Sequence, residues 1–86
     1  MPFVLTERFR RAYRSLSDED QKRIERALKR MSEDLRHPGL RVKRIRGTHA
    51  IWEARASRAI RLTFEVEGDQ IILRNVGNHD ATLKRP

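Results

Sequence analysis

The chain has 86 residues, 37% of them hydrophobic and 37% charged, which is enough apolar content for one small folded domain and too little length for two. Twenty Lys and Arg, sixteen of them Arg, stand against twelve Asp and Glu, and the net charge of +8 favours a polyanionic partner. Cysteine, metal-ligand spacings of histidine and membrane-length apolar runs are absent from the sequence. We therefore expect a cytoplasmic protein that uses no disulfide, metal or other cofactor.

The first half of the chain has the pattern of a short strand followed by two helices. Residues 2–5 are apolar and could form an edge strand or a disordered end. Apolar side chains then recur at helical spacing after Thr6 and again after Ser17, and both residues are favoured N-caps. The second helix must end before Pro38, because a proline disfavours helical backbone in the residue before it. The sequence therefore predicts a helical hairpin.

Beyond residue 39 the apolar period changes to two, which is typical of β-strands. Residues 60–67 alternate most clearly, and residues 70–76 form the return strand after a two-residue turn of the Gly-Asp type. Residues 51–56 alternate as well, whereas residues 40–46 predict only a weaker strand. The expected fold is α+β, with a short N-terminal strand and a helical hairpin before an antiparallel β-meander of three to four strands. We expect a single domain over residues 1–86.

Positive charge is concentrated in the predicted strands. Residues 1–39 contain ten bases and seven acids, whereas residues 40–61 contain seven bases and a single acid. The seven bases are Arg41, Lys43, Arg44, Arg46, Arg55, Arg58 and Arg61. Strand alternation places Arg55, Arg61 and Arg74 on the face of the sheet away from the core. These arginines could bind an RNA backbone, or they could be solubilising groups that pair with glutamates of neighbouring strands.

Five segments of the second half carry a resemblance to a known family. They are residues 37–40 (His-Pro-Gly-Leu), 43–47 (Lys-Arg-Ile-Arg-Gly), 52–55 (Trp-Glu-Ala-Arg), 60–62 (Ile-Arg-Leu) and 76–80 (Val-Gly-Asn-His-Asp). In this order they resemble the RelE/ParE superfamily of bacterial toxins from type II toxin–antitoxin systems, especially its RelE-like and YafQ-like members. The order of the predicted elements is similar too.

The resemblance implies a ribosome-dependent mRNA interferase. Such a toxin enters the ribosomal A site and cleaves mRNA by attack of a ribose 2′-oxygen on the adjacent phosphate. The reaction needs a base for the 2′ proton, cations that stabilise the phosphorane and an acid for the leaving oxygen. The resemblance implies His79 as the general acid and Arg55 and Arg61 as cations at the phosphate. Further contacts to RNA phosphates are expected from Arg74, Arg58, Lys43 and Arg46.

Some positions depart from the family pattern and leave alternatives open. Glu53 occupies the place of a catalytic lysine of RelE, so Glu53 and the loop residue His49 are both possible general bases. The C-terminal tyrosine of the family has no counterpart, since Leu83 stands near its place. His79 could alternatively be a structural residue at a strand end, with its ring held by Asp80.

Whether the toxin cleaves mRNA or acts by protein contact, the resemblance implies a cognate antitoxin, which would be a small, acidic and partly disordered protein. It would bind across the helices and the basic face as part of a toxin–antitoxin hetero-oligomer, away from any membrane. Two alternative functions remain. One is a ParE-like inhibitor of DNA gyrase that acts by protein contact, and the other is a catalytically inactive RNA-binding relative.

Overall fold

The structure, a computed structural model, describes residues 2–86 and is built around a mixed five-stranded sheet. In chain order the elements are β1 (Phe3–Leu5), α1 (Glu7–Arg14), α2 (Asp18–Glu33), a 3-10 turn (Pro38–Leu40), β2 (Lys43–Arg44), β3 (Trp52–Arg55), β4 (Ile60–Glu67), β5 (Gln70–Asn78) and α3 (His79–Lys84). The strands lie in the sheet in the order β1-β5-β4-β3-β2. The α+β class, the helical hairpin and the antiparallel meander are confirmed.

Both long helices begin at the predicted caps. The hydroxyl oxygen of Thr6 accepts a hydrogen bond from the backbone N–H of Phe9 at 3.1 Å, and that of Ser17 accepts one from Asp20 at 3.2 Å. Each bond satisfies a donor that the first helical turn leaves without an intrahelical partner. The second helix ends at Glu33, with Asp34 in extended backbone as its C-cap. His37, the residue directly before the proline, has a ψ of 123°, outside the helical region as expected.

The two edge strands of the sheet, β1 and β2, are short. Residues 3–5 form an edge strand that pairs in parallel with β5, so the first of the two sequence interpretations is correct. At the opposite edge only Lys43 and Arg44 pair with β3, and the strand expected over residues 40–46 is shorter than predicted. The reason is local, since the 3-10 turn extends to Leu40 and Arg41 then has a left-handed backbone with φ of 47°.

The hydrophobic core lies between the helical hairpin and one face of the sheet. The helices contribute Phe9, Ile24, Ala27 and Met31, and the turn contributes Leu40. The sheet contributes Ala54, Ile60, Leu62, Phe64, Ile71, Leu73 and Val76. Burial of a large apolar side chain of this kind stabilises the fold by about 1.5–3 kcal/mol. The opposite face of the sheet is therefore left for polar residues.

A bulge in β5 keeps this division of the faces intact. Thr63 is the partner of Asn75 and Phe64 that of Leu73, so Arg74 is an extra residue on its strand. Arg74 and Asn75 both lie on the face away from the core, and Val76 returns to the core. Strict alternation after Leu73 would have placed Val76 on the polar face.

A third helix, which the sequence analysis missed, covers part of the polar face. It begins at Asn78, whose side chain accepts a hydrogen bond from the N–H of Asp80 at 3.1 Å. The residues that follow the helix are tied down by side chains of the sheet. The hydroxyl of Thr63 donates to the main-chain oxygen of Pro86 at 2.9 Å, and the amide of Asn75 donates to that of Arg85 at 3.0 Å.

Gly77 allows α3 to approach the sheet, and replacement by alanine should loosen the helix. A Cβ at residue 77 would lie 3.0 Å from the hydroxyl oxygen of Thr82, which is only 3% exposed, and φ is +156°. We expect Gly77→Ala to lower the free energy of unfolding by about 1–3 kcal/mol, the usual range for overpacking. Urea unfolding gives this value, and amide exchange should show faster opening in residues 79–84.

Gly68→Ala is the matched control. Gly68 also has a positive φ, +60°, but a Cβ there would meet no atom within 4 Å. The substitution should lower the free energy of unfolding only by the backbone strain of about 1–2 kcal/mol, and it should leave amide exchange in α3 unchanged. Equal exchange rates for α3 in the two variants would show that the contact with Thr82 does not hold the helix.

Candidate functional site

Two rows of residues cross the face of the sheet that lies away from the core. The first row is Lys43, Glu53, Thr63 and Asn75, and the second is Arg55, Arg61 and Gly77. Helix α3 and the following residues cover the β4–β5 end of both rows, where Thr82 lies over Gly77. A partner can therefore reach this face from β2 and β3 up to the partly exposed Arg61 on β4.

Arg61 is held in place by the turn that precedes it. Its Nη1 group donates hydrogen bonds to the carbonyl oxygens of Ser57 at 2.8 Å, Arg58 at 3.2 Å and Ile60 at 3.3 Å. Its Nε atom lies 3.8 Å from Oε1 of Glu53, and the two side chains are 14% and 9% exposed. The guanidinium is thus fixed before any ligand arrives, which is the condition for effective electrostatic stabilisation.

Like charges surround this fixed guanidinium. Arg55 is directly opposite Arg61 in the antiparallel pair of β3 and β4, an arrangement that destabilises a sheet when both residues carry the same charge. Burial and the positive charges of Arg55 and Arg41 lower the pKa of Arg61, whereas the carboxylate of Glu53 raises it. We call Arg41, Arg55 and Arg61 the arginine cluster. An anion bound there would relieve the repulsion among its members.

His79 lies at the same end of the sheet as Arg55 and Arg61. Its backbone N–H donates to the carbonyl oxygen of Ala59 at 2.7 Å, which fixes it beside the turn between β3 and β4. Its Nδ1 atom is 2.9 Å from Oδ1 of Asp80, and its side chain is 45% exposed. This hydrogen bond and the charge of His79 hold the pKa of Asp80 below its usual value. Because Asp80 engages Nδ1, Nε2 is the ring nitrogen left for a substrate.

The other predicted phosphate contacts are spread over the surface. Arg74 lies apart from the arginine cluster, since its Nη1 is 2.6 Å from Oε2 of Glu65 and its Nε donates to the main-chain oxygen of Pro86 at 3.2 Å. Lys43 is exposed opposite Glu53, and Arg58 and Arg46 are exposed in the loops on either side of β3. Of these four residues, Lys43 and Arg58 lie nearest to the cluster. Lys43 is two residues after Arg41, and Arg58 is in the turn that leads to Arg61.

The two possible bases differ in their surroundings. Glu53 is buried beside Arg61, on the polar face, whereas His49 is exposed in the loop between β2 and β3. Leu83, near the place of the missing tyrosine, is half-buried in α3. Sequence reasoning missed one member of the cluster, Arg41. Its charge was counted, but residue 41 lies two positions before Lys43, on the side of β2 that leads toward Arg55, and its charge acts on Arg61.

An apolar groove lies on the opposite, helical side of the molecule. It has a volume of about 320 Å³ and is lined by Leu5, Phe9, Arg10, Tyr13, Arg14, Glu25 and Leu28. The hydroxyl of Tyr13 donates to Glu25 at 3.0 Å, and partial burial together with this bond raises the pKa of Tyr13. Among residues 2–86, no helix is long and apolar enough to cross a membrane, and no three His, Asp or Glu side chains converge as a metal site.

Solved structures of known proteins resemble the chain in fold. No family model and no curated protein matches it. A chain of the RelB-RelE antitoxin–toxin complex from Methanococcus jannaschii has a TM-score of 0.74 at 23% identity, over 91% of this chain and 92% of that one. YafQ from E. coli has a TM-score of 0.78 at 7% identity, over 92% and 93%. A YoeB/ParE toxin from Agrobacterium tumefaciens has 0.69 at 17%, over 92% and 99%.

These likenesses identify the fold. The chain has the fold of the RelE, YafQ and YoeB toxins, with the same short first strand, helical hairpin and antiparallel meander. The resemblance noted in the sequence is confirmed at this level.

The buried carboxylate of Glu53 partly neutralises the arginine cluster, and Glu53→Gln tests this. We expect the free energy of unfolding to fall by about 1–3 kcal/mol, because Arg61 loses a charged neighbour in a poorly hydrated site. Inorganic phosphate should then stabilise the variant more than it stabilises the wild type. Urea unfolding with and without phosphate measures both effects.

Glu65→Gln is the matched control. The pair of Glu65 with Arg74 is about one-third exposed, so its loss should cost only about 0–1 kcal/mol and leave the phosphate effect unchanged. Equal responses of the two variants to phosphate would contradict a special role of Glu53 at the cluster.

Proposed function

We propose that the chain is the toxin of a type II toxin–antitoxin system and acts as a ribosome-dependent endoribonuclease on mRNA. One observation carries the proposal: fixed and like-charged arginines lie at the same end of the sheet as an accessible imidazole, within a RelE-like fold. Cations and a proton donor are the groups that cleavage of a phosphodiester requires.

In the proposed reaction the ribose 2′-hydroxyl gives its proton to a base, and its oxygen forms a bond to the adjacent phosphorus. Arg55 and Arg61 stabilise the additional negative charge of the five-coordinate phosphorus. The bond from phosphorus to the 5′-oxygen then breaks, and the leaving oxygen takes a proton from His79. The products are a 2′,3′-cyclic phosphate and a 5′-hydroxyl. Glu53 and His49 remain the two candidates for the base.

The exposure of the other basic side chains decides which of them can bind further phosphates. Lys43, Arg58 and Arg46 are exposed and would bind neighbouring phosphates of the message. Arg74 would have to leave Glu65 and the main chain of residue 86 before it could do the same.

The proposed partner is an acidic antitoxin in a hetero-oligomer. Similar folds have been solved as the RelB-RelE and DinJ-YafQ toxin–antitoxin complexes. The groove beside Leu5, Phe9 and Tyr13 would accept apolar side chains, and Arg10 and Arg14 at its rim would attract acidic ones. A net charge of +8 would speed the encounter with such a partner.

Expression in bacteria tests the proposal. The toxin should stop protein synthesis and leave cleaved messages, which primer extension maps. Inhibition of replication with induction of the DNA-damage response would instead indicate a ParE-like inhibitor of gyrase. Continued growth together with RNA binding would indicate an inactive relative.

His79→Ala should abolish this cleavage without unfolding the protein. Loss of a general acid typically costs about 10²–10⁴ in rate, and a side chain that is nearly half exposed contributes little to the core. Cleavage of mRNA on purified ribosomes measures the rate, and thermal melting verifies the fold. His37→Asn is the control, since asparagine can still accept the hydrogen bond from Gly39. Cleavage by His79→Ala at the wild-type rate would exclude the proposed acid.

Arg55→Ala tests the cation that the fold does not need. Arg55 has no hydrogen bond or ion pair to another side chain in residues 2–86, so its removal should not lower stability and should relieve repulsion at Arg61. Cleavage on ribosomes should nevertheless fall by about 10²–10³, as for loss of a group that stabilises transition-state charge. Arg44→Ala, on the other face of the sheet opposite Trp52, should cleave normally. A rate within twofold of wild type for Arg55→Ala would contradict its role.

A further inference from the structure

Arg41 has an unusual backbone conformation. It is the only residue other than glycine with a positive φ, 47°, within residues 2–86. It ends the 3-10 turn, where its N–H donates to the carbonyl oxygen of Pro38 at 3.3 Å. Glycine is the usual residue at such a left-handed position, because a Cβ there is strained and arginine has no local hydrogen bond to compensate. Arg41 is thus a costly choice for the fold.

The surroundings of the turn determine where Arg41 emerges. Leu40, which is fully buried, anchors the turn against α2 and β3. Arg41 follows immediately, and two residues later Lys43 pairs with Glu53 on the polar face. Arg41 therefore leaves the core at the edge of the face that carries Arg55 and Arg61. Its positive charge reaches that far, since it contributes to lowering the pKa of Arg61.

Arg41 therefore opposes folding in two ways, through backbone strain and through repulsion from the other two arginines. The side chain is exposed and makes no ion pair within residues 2–86. Strained residues persist mostly where function uses them. A ligand that explains the arrangement must be an anion with several oxygen acceptors, because each guanidinium offers a planar fork of donors.

We propose that Arg41 is a third phosphate-binding arginine of the site, next to Arg55 and Arg61 at the accessible edge of the polar face. The inference rests on the proposed function for the source of the phosphate, which is the backbone of a single-stranded RNA. Arg41 binds one phosphodiester group, and it is a binding residue rather than a proton donor or acceptor.

Arg41→Gly tests the inference, because glycine removes the charge and suits the left-handed backbone. The probe is a short labelled 2′-O-methyl oligoribonucleotide, which cannot be cleaved because its 2′-oxygen is blocked. We expect about tenfold weaker binding, the loss of one charge-assisted hydrogen bond. The slope of log affinity against log salt should shrink by about 0.7, the value for one phosphate of a single strand. The melting temperature should stay the same or rise.

Two further variants make the result specific. Arg41→Lys keeps the charge and should retain most of the salt dependence. Arg44→Ala removes an arginine three residues away on the other face of the sheet and should bind like the wild type. Wild-type affinity for Arg41→Gly, an equal loss for Arg44→Ala, or a change seen only with polyglutamate as the ligand would overturn the inference.

The result of this binding experiment can be distinguished from the test of nuclease activity, because the 2′-O-methyl probe cannot be cleaved. If the wild type fails to cut mRNA on ribosomes while Arg41→Gly still weakens RNA binding, the nuclease proposal is wrong and the phosphate contact stands. If cleavage occurs and Arg41→Gly binds RNA normally, the proposed function stands and Arg41 has no part in it.

Discussion

The pairing of Arg55 with Arg61 across two antiparallel strands is the constraint around which this surface is arranged. Three carbonyl oxygens of the turn between those strands hold the guanidinium of Arg61, and Glu53 supplies a nearby negative charge. These contacts keep the charge in place without neutralising its neighbours. The hydrophobic core on the other face of the sheet stabilises the fold against this repulsion, because apolar residues of the helices and the sheet are buried there in one cluster.

The polar face is divided into a sealed half and an accessible half. Helix α3 and the residues after it cover β5 and the adjoining part of β4, where Thr63, Arg74 and Asn75 donate hydrogen bonds to main-chain oxygens of residues 85 and 86. The absence of a side chain at Gly77 allows this covering. The same helix places His79 at the edge of the accessible half. One short element thus both protects polar residues of the sheet and presents the imidazole.

The sequence predicted those features that depend on local chemistry. The caps at Thr6 and Ser17 and the Gly-Asp turn before β5 involve neighbouring residues, and periodicity revealed the buried faces. The bulge at Arg74 and the helix after Asn78 depend on contacts across the sheet, which no short window contains. The left-handed backbone at Arg41 was likewise invisible, because arginine is not a residue type that indicates a positive φ. For the site, the sequence predicted the residue types and the excess of positive charge. It did not predict which of the arginines lie next to one another in the folded chain.

The parallel pairing of the first strand with β5 also bears on the order in which the fold is completed. The hydroxyl of Thr6 donates to the carbonyl oxygen of Leu73 at 2.8 Å, and these residues are 67 positions apart. During synthesis, β5, which joins this edge to the rest of the sheet, emerges after the other four strands, and His79 later still. Contacts between such distant positions also form slowly. A nascent chain therefore carries its arginines before it has the finished sheet, so the polar face is assembled only after β5 has joined both of its neighbouring strands.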